Sequence, residues 1–156
     1  MMNSRIAAVT VALSVMAAAA CFGASPHMGT WKLNEGKSKI APGMGKNNTV
    51  TYEEQKGDKV KVTVDGMDKD GKATHTVWVG KFDGKAYKTK GSAVADMMAY
   101  KVVNDRTNEI TAMKGGKTAW SGTIKVAADG KSRTVNTSGT DKDGKKWKSK
   151  AVYDKS

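Results

Sequence analysis

Cysteine and arginine are both scarce in this chain of 156 residues. Cys21 is the single cysteine, so no disulfide can form within the chain. Only three of the 27 basic residues are arginine (Arg5, Arg106 and Arg133), although the net charge is +12. Arginine's planar fork suits specific contacts to phosphates and bases, whereas lysine is a mobile and strongly hydrated charge. A lysine-rich, arginine-poor surface therefore indicates a solvated exterior, and we expect no nucleic-acid partner.

Long apolar runs are missing as well, apart from one near the N-terminus. Residues 6–20 are uncharged and follow Arg5, but this run of 15 residues is shorter than the ~20 that a membrane-spanning helix needs. A positive charge, an apolar run and then small residues is the order of a secretory signal. We expect residues 1–20 to be a signal peptide that is removed, and the protein to be periplasmic or secreted.

Cys21 follows three alanines, and this setting resembles a bacterial lipobox, whose cysteine is acylated and becomes the new N-terminus. A lipobox favours leucine where this chain has Ala18. Two alternatives therefore stay open: lipidation of Cys21, which would tether the protein to a membrane, or ordinary cleavage, for example after Cys21 or Gly23. Residues 21–27 then form a linker, and we expect His27 to lie in a free tail.

Alternation of apolar and polar residues dominates the remaining ~135 residues, a length typical of one domain. Val60, Val62 and Val64, for example, alternate with charged or hydroxyl side chains. This period is typical of strands with one buried and one solvated face. We predict ten short strands, at 28–34, 48–54, 59–65, 73–79, 85–88, 97–103, 108–113, 118–126, 132–138 and 146–153.

Glycine-containing dipeptides separate these strands at regular intervals, at positions 57–58, 70–71, 83–84, 115–116, 129–130 and 143–144. Such dipeptides tolerate the positive φ of tight hairpin turns. A meander of short antiparallel strands must either expose its edges or close, and closure removes the edges. We therefore predict an all-β, antiparallel up-and-down β-barrel of about 8–10 strands over residues 28–156, with an open β-sandwich as the alternative.

Two nearly identical segments, GMDKDGK at 66–72 and GTDKDGK at 139–145, each lie between two predicted strands. They resemble part of a calcium-binding EF-hand loop, but neither has the glutamate at the twelfth position that such a loop requires. The interpretation that fits the flanking strands is the same hairpin turn used twice. We expect no metal and no cofactor.

Catalytic motifs are not evident either. The two histidines, His27 and His75, have no further histidine or cysteine cluster with which to form a zinc site. No GxSxG nucleophile motif, no phosphate-binding glycine loop and no carboxylate pair of the glycosidase kind is present. We therefore expect a protein that is not an enzyme.

The segment GTWKLN at 29–34 carries a Gly-x-Trp motif, Gly29 and Trp31, on the first predicted strand. It resembles the opening strand of the lipocalin and fatty-acid-binding group, and the chain as a whole is similar to small exported bacterial proteins with a lipocalin-like domain. The resemblance implies that Trp31 is a structural plug at the closed barrel end, beneath a basic residue of the last strand. That strand offers Lys148 and Lys150 but no arginine. Residues 35–47 are too short for the two-helix lid of fatty-acid-binding proteins.

The aromatic residues fit two interpretations, since they can fill a small barrel or line a cavity for an amphipathic molecule. Tyr100, Trp120 and Tyr153 share the apolar phase of their strands, so we predict that they are the ligand-binding residues. On this hypothesis the protein is an exported, monomeric β-barrel protein that holds a hydrophobic or amphipathic small molecule.

A run of lysines surrounds Trp147 near the C-terminus: Lys142, Lys145, Lys146, Lys148 and Lys150. Such a basic patch with one aromatic can bind anionic lipid headgroups or envelope polyanions, and it can equally be a solvated hairpin. The alternative function is therefore a non-enzymatic cell-envelope interaction protein that uses a lysine-rich face to bind an anionic membrane surface.

Overall fold

The computed structural model describes residues 25–156, so the expectations for the signal peptide and for Cys21 lie outside the described residues. Ten strands follow one another, and a short 3-10 turn at Glu35–Lys37 follows the first of them. The strands are β1 (Gly29–Leu33), β2 (Lys46–Gln55), β3 (Lys59–Met67), β4 (Ala73–Gly80), β5 (Asp83–Lys90), β6 (Met97–Asn104), β7 (Thr107–Lys114), β8 (Lys117–Val126), β9 (Ser132–Thr140) and β10 (Lys146–Lys155).

The strands form one closed barrel in which every strand is antiparallel to its sequence neighbours, and β1 pairs with β10 to complete the ring. Trp31 of β1 lies opposite Val50 of β2 on one side and opposite Lys155 of β10 on the other. The prediction of an up-and-down barrel is thereby confirmed, and the open sandwich is not adopted. Closure satisfies the backbone groups that a free sheet edge would leave unpaired.

The two ends of the barrel differ in how well they are filled. At the end where the N-terminal segment 25–28 lies, which we call the plug end, the inward side chains are buried; they include Trp31, Tyr52, Trp78, Tyr100 and Tyr153. At the other end, which we call the mouth, inward side chains such as Met98 and Trp120 are only half-buried. The hydrophobic core therefore lies in the plug half, and side-chain packing is looser towards the mouth.

The two repeated segments form the same hairpin loop. In each, the first aspartate (Asp68 or Asp141) accepts backbone N–H bonds at its Oδ1 from the residues two and four positions later, at 2.8–2.9 Å. The glycines Gly71 and Gly144 have φ values of 81° and 79°, which favour glycine. The prediction that one turn is used twice is confirmed.

Between residues 25 and 156, no helix combines the length and apolar character that crossing a membrane would require. The same part of the chain contains no group of three or more histidine, cysteine, aspartate or glutamate side chains arranged to hold a metal ion.

Candidate functional site

The Gly-x-Trp motif forms the floor of the plug end. Gly29 has a φ of 99°, and a Cβ there would lie 3.1 Å from Cε of Lys155, so a side chain would be strained and would displace this lysine. Trp31 is fully buried, and its indole Nε1 donates a 2.9 Å hydrogen bond to the backbone oxygen of His27. Nζ of Lys155 lies 5.2 Å from the centre of the Trp31 ring. The basic residue that the last strand contributes is therefore Lys155, and not Lys148 or Lys150 as the sequence suggested.

A second cation, Arg133 of β9, lies inside the barrel among three aromatic rings. Its guanidinium carbon is 5.0 Å from the ring centre of Trp31, 5.0 Å from that of Tyr52 and 4.8 Å from that of Tyr153. We call these three residues the aromatic cage. Only 2% of the surface of Arg133 is exposed to solvent. Cation–π attraction to the cage stabilises it there, by roughly 0.5–2 kcal/mol per ring.

Arg133 has no carboxylate partner. The ion pairs among the described residues are Lys46–Glu35 and His75–Asp65, and both are at the surface. Nε and Nη1 of Arg133 are buried and donate to no group within residues 25–156. Taking an ion out of water costs several kcal/mol even after relaxation, and buried donors are nearly always hydrogen-bonded. The site therefore offers an anion a positive charge and two guanidinium nitrogens, Nε and Nη1, that have no acceptor among residues 25–156.

The phenols of Tyr153 and Tyr100 remain neutral at physiological pH. Burial raises the pKa of Tyr153 to about 12, although the charge of Arg133 opposes this shift. Burial likewise raises the pKa of Tyr100 well above its usual value, and the nearby Tyr52 adds to the effect. Neutral phenols cannot serve as counter-ions for Arg133, but they can donate hydrogen bonds to an anion.

His27 closes the plug end instead of lying in a free tail, so that expectation is wrong. It is 2% exposed, packs edge-on against Phe82, and has both ring nitrogens buried without a hydrogen-bond partner. Burial, followed by the charges of Arg133 and Lys155, lowers its pKa to about 4. The imidazole is therefore neutral at pH 7. The amide of Asn108 is buried without a partner as well, so unpaired polar groups occur repeatedly in this half of the barrel.

The structure brings together two of the three predicted ligand-binding residues. Tyr100 and Tyr153 are both buried in the plug half: Tyr153 belongs to the cage, and the ring of Tyr100 lies 6.4 Å from that of Tyr52. Trp120 on β8 is half-buried and packs against the core nearer the mouth. Their role in binding stays a prediction.

Sequence reasoning missed Arg133 and Tyr52. A signal for Arg133 was present, because it stands in the inward phase of β9 with Val135, Thr137 and Gly139. A lone arginine at an apolar position of a strand indicates a buried charge, which is rare without a partner.

The predicted basic patch is divided between the two faces of β10. Lys146, Lys148 and Lys150 are exposed on the outer wall, whereas Trp147 is half-buried on the inner face, where its ring lies 2.8 Å from the place of a Cβ on Gly139. Lys142 and Lys145 are exposed in the mouth loop. A shallow groove of about 450 Å³ on the outer wall is lined by Lys148 and Lys150 together with Lys39, Asn136 and Ser138. Trp147 therefore does not share a surface with the lysines of its own strand.

Comparisons with known proteins identify the fold. No family model matches the chain, and no curated protein matches it. Among solved structures, a mutant of the fluorescent protein UnaG is 15% identical over 83% of this chain and 96% of that one, with a TM-score of 0.55. EF1p2_mFAP2b, which was solved bound to DFHBI, is 10% identical over 84% of this chain and 94% of that one, with a TM-score of 0.49. The fold is therefore a closed antiparallel β-barrel similar to that of UnaG.

Proposed function

We propose that this protein is an exported, non-catalytic binding protein that holds one amphipathic small molecule inside the barrel, with an anionic group of the ligand on Arg133. The observation that carries this proposal is the buried guanidinium, which has no carboxylate partner among residues 25–156 and whose Nε and Nη1 lack an acceptor in that part of the chain. Export is supported by the signal-like pattern of residues 1–20.

An anion at this position would accept hydrogen bonds from Arg133 and from the neutral phenol of Tyr153. Charge-assisted hydrogen bonds are about twice as strong as neutral ones, and the guanidinium fork suits a two-oxygen acceptor such as a carboxylate. The apolar part of the ligand would extend towards the mouth, past half-buried side chains such as Val64, Met98 and Trp120. Apolar walls with a few convergent polar groups are typical of small-molecule sites.

A pair of amphiphiles of equal chain length tests the proposal. We expect calorimetric titration to show saturable binding of one dodecanoate per protein, and weaker binding of dodecanol by at least about tenfold, the lower range of a charged hydrogen bond. Arg133→Met should abolish this preference, whereas Arg106→Met, which changes an exposed arginine in the β6–β7 turn, should leave it unchanged.

Arg133→Met should still fold, because a buried charge without a partner is often replaced by an apolar residue at no loss of stability; a thermal unfolding curve checks this. Tyr153→Phe keeps the ring and removes only the phenol, so it tests the same site with a milder change. Trp120→Ala should weaken the binding of both amphiphiles. Failure of either amphiphile to saturate a site, or an unchanged preference in Arg133→Met, would contradict the proposal.

A further inference from the structure

Positive charge is concentrated at the mouth of the barrel. The mouth comprises the five connections with one flanking residue on each side (33–46, 67–73, 90–97, 114–117 and 140–146), and it holds eleven lysines and six acidic side chains. The plug end, defined in the same way (25–29, 55–59, 80–83, 104–107, 126–132 and 155–156), holds six cationic and four acidic side chains. The positive excess is therefore larger at the mouth.

The mouth lysines are available to an external partner. All eleven are exposed, and among residues 25–156 only Lys46 has a carboxylate within ion-pair distance, namely Glu35 at 3.2 Å. The mouth acids are largely occupied by their own loops. Asp68 and Asp141 accept backbone hydrogen bonds within their turns, and Asp96 accepts one from Gly115 at 3.0 Å.

Exposed apolar side chains stand among these lysines. Met44, Met67 and Val94 project from three mouth segments with exposed fractions of 37%, 41% and 63%. Met44 and Met67 are close together, because Lys46 pairs with Met67 and a Cβ on Gly45 would lie 2.5 Å from the Met67 oxygen. Large apolar side chains exposed beside unpaired cations are typical of surfaces that bind anionic membranes.

We infer that the mouth of the barrel is a docking surface for an anionic lipid bilayer, in which the lysines contact the headgroups and Met44, Met67 and Val94 enter the interface. This surface includes Lys142, Lys145 and Lys146 of the basic patch that the sequence predicted, whereas Lys148 and Lys150 lie outside it on the outer wall of β10. Docking through this surface would direct the mouth of the barrel towards the lipid. The inference is independent of the interior site, because it concerns side chains outside the barrel.

Vesicle sedimentation tests the role of charge. We expect the protein to bind vesicles of phosphatidylcholine with phosphatidylglycerol, to bind pure phosphatidylcholine far less, and to be released from the anionic vesicles by high salt. The mouth variant K69Q/K72Q/K142Q/K145Q should bind the anionic vesicles at least about tenfold more weakly, given the contribution of each lysine near a charged bilayer. The plug-end variant K56Q/K59Q/K81Q/K131Q removes the same charge and should bind nearly as well as the wild type.

The apolar contribution has a matched control too. M44S/M67S/V94S should reduce binding to anionic vesicles, whereas V79S/V102S/V103S should not; the three valines of the control are similarly exposed, at 43%, 50% and 53%, and lie near the plug end. Equal losses in the two lysine variants would show attraction by net charge alone and would overturn the inference. Unchanged binding of M44S/M67S/V94S, or equal binding of a soluble polyanion, would overturn it as well.

The two proposals fail separately. Dodecanoate titration without vesicles reports the interior site, and ligand-free protein with vesicles reports the mouth. The mouth variants keep Arg133, so they should bind dodecanoate like the wild type.

Discussion

Arg133 is the single charged side chain that is buried among residues 25–156. Three aromatic rings stabilise its guanidinium, but each ring contributes only about 0.5–2 kcal/mol, whereas removing an ion from water costs several kcal/mol. Each unpaired buried donor adds a further penalty of about 1–3 kcal/mol. The aromatic cage therefore offsets only part of the cost of burying the guanidinium and leaves its charge unneutralised. This arrangement is consistent with the proposed anion-binding site.

His27 makes the stability of the plug end depend on pH. Folding lowers its pKa from 6.5 to about 4, so between these values the unfolded chain binds more protons than the native protein. Stability is then highest above about pH 6.5 and falls as the pH drops towards 4. We expect His27→Gln, measured by urea unfolding between pH 4 and 7, to lose roughly 2 kcal/mol less than the wild type over this range.

The carboxylates titrate in both proteins, so the difference between the two curves isolates His27. The other charged groups that act on its ring, Arg133 and Lys155, are present in both proteins. Parallel pH profiles for the wild type and His27→Gln would contradict the prediction.

At the scale of single elements, the two repeated hairpin loops owe their shape to one aspartate each. The Oδ1 atoms of Asp68 and Asp141 each accept hydrogen bonds from two backbone N–H groups of their own turn. The aspartates two residues later, Asp70 and Asp143, contribute only their backbone N–H to this pattern. The repeat therefore encodes the local geometry of a hairpin loop.

This difference predicts unequal effects of alanine substitution within one loop. Asp68→Ala and Asp141→Ala should each lower the free energy of unfolding by about 1–2 kcal/mol, because two side-chain hydrogen bonds are lost. Asp70→Ala and Asp143→Ala should change it by less than about 0.5 kcal/mol, as is usual at the surface. Chemical denaturation measures all four variants, and equal losses within a loop would show that the turn does not depend on its first aspartate.

At the scale of the whole molecule, the barrel is weakly paired between β4 and β5. β4 pairs with β5 only at Val77–Lys90 and Trp78–Thr89, whereas β3 pairs with β4 continuously from Val60–Gly80 to Met67–Ala73. A Cβ on Gly80 would lie 2.5 Å from the ring of Tyr87, so this ring fills the space where the two strands separate.

Hydrogen exchange should detect the sparse pairing between β4 and β5. Amides with few cross-strand partners exchange by small local openings, so we expect peptides covering 81–90 to exchange faster than peptides covering 59–67. Exchange monitored by mass spectrometry in the folded protein is the measurement. Equal protection of the two regions would show that side-chain packing around Tyr87 compensates for the missing pairs.

The predicted up-and-down barrel depends on patterns that a sequence displays directly. The alternation at Val60, Val62 and Val64 places β3, and the glycine dipeptides place the turns, because strand period and turn geometry are local properties of the backbone. The ten predicted strands accordingly correspond to β1–β10, and most differences are a few residues at their ends. Closure of the barrel was predicted because an open meander of such strands would leave the backbone groups of its edge strands unpaired.

Tertiary structure alone decided which side chains meet. Arg133, Lys155 and Trp31 lie on three different strands. Only the strand register around the closed barrel places both cations against the indole ring of Trp31. The same strand register places His27 at the plug end of the barrel. It also distributes the lysines between the mouth and the outer wall of the strands. A periodic pattern shows that a residue faces inward, but the neighbours it meets depend on strand pairings that span the whole chain. The sequence therefore determined the barrel, and the closed ring alone decided where its buried charge and its exposed cations lie.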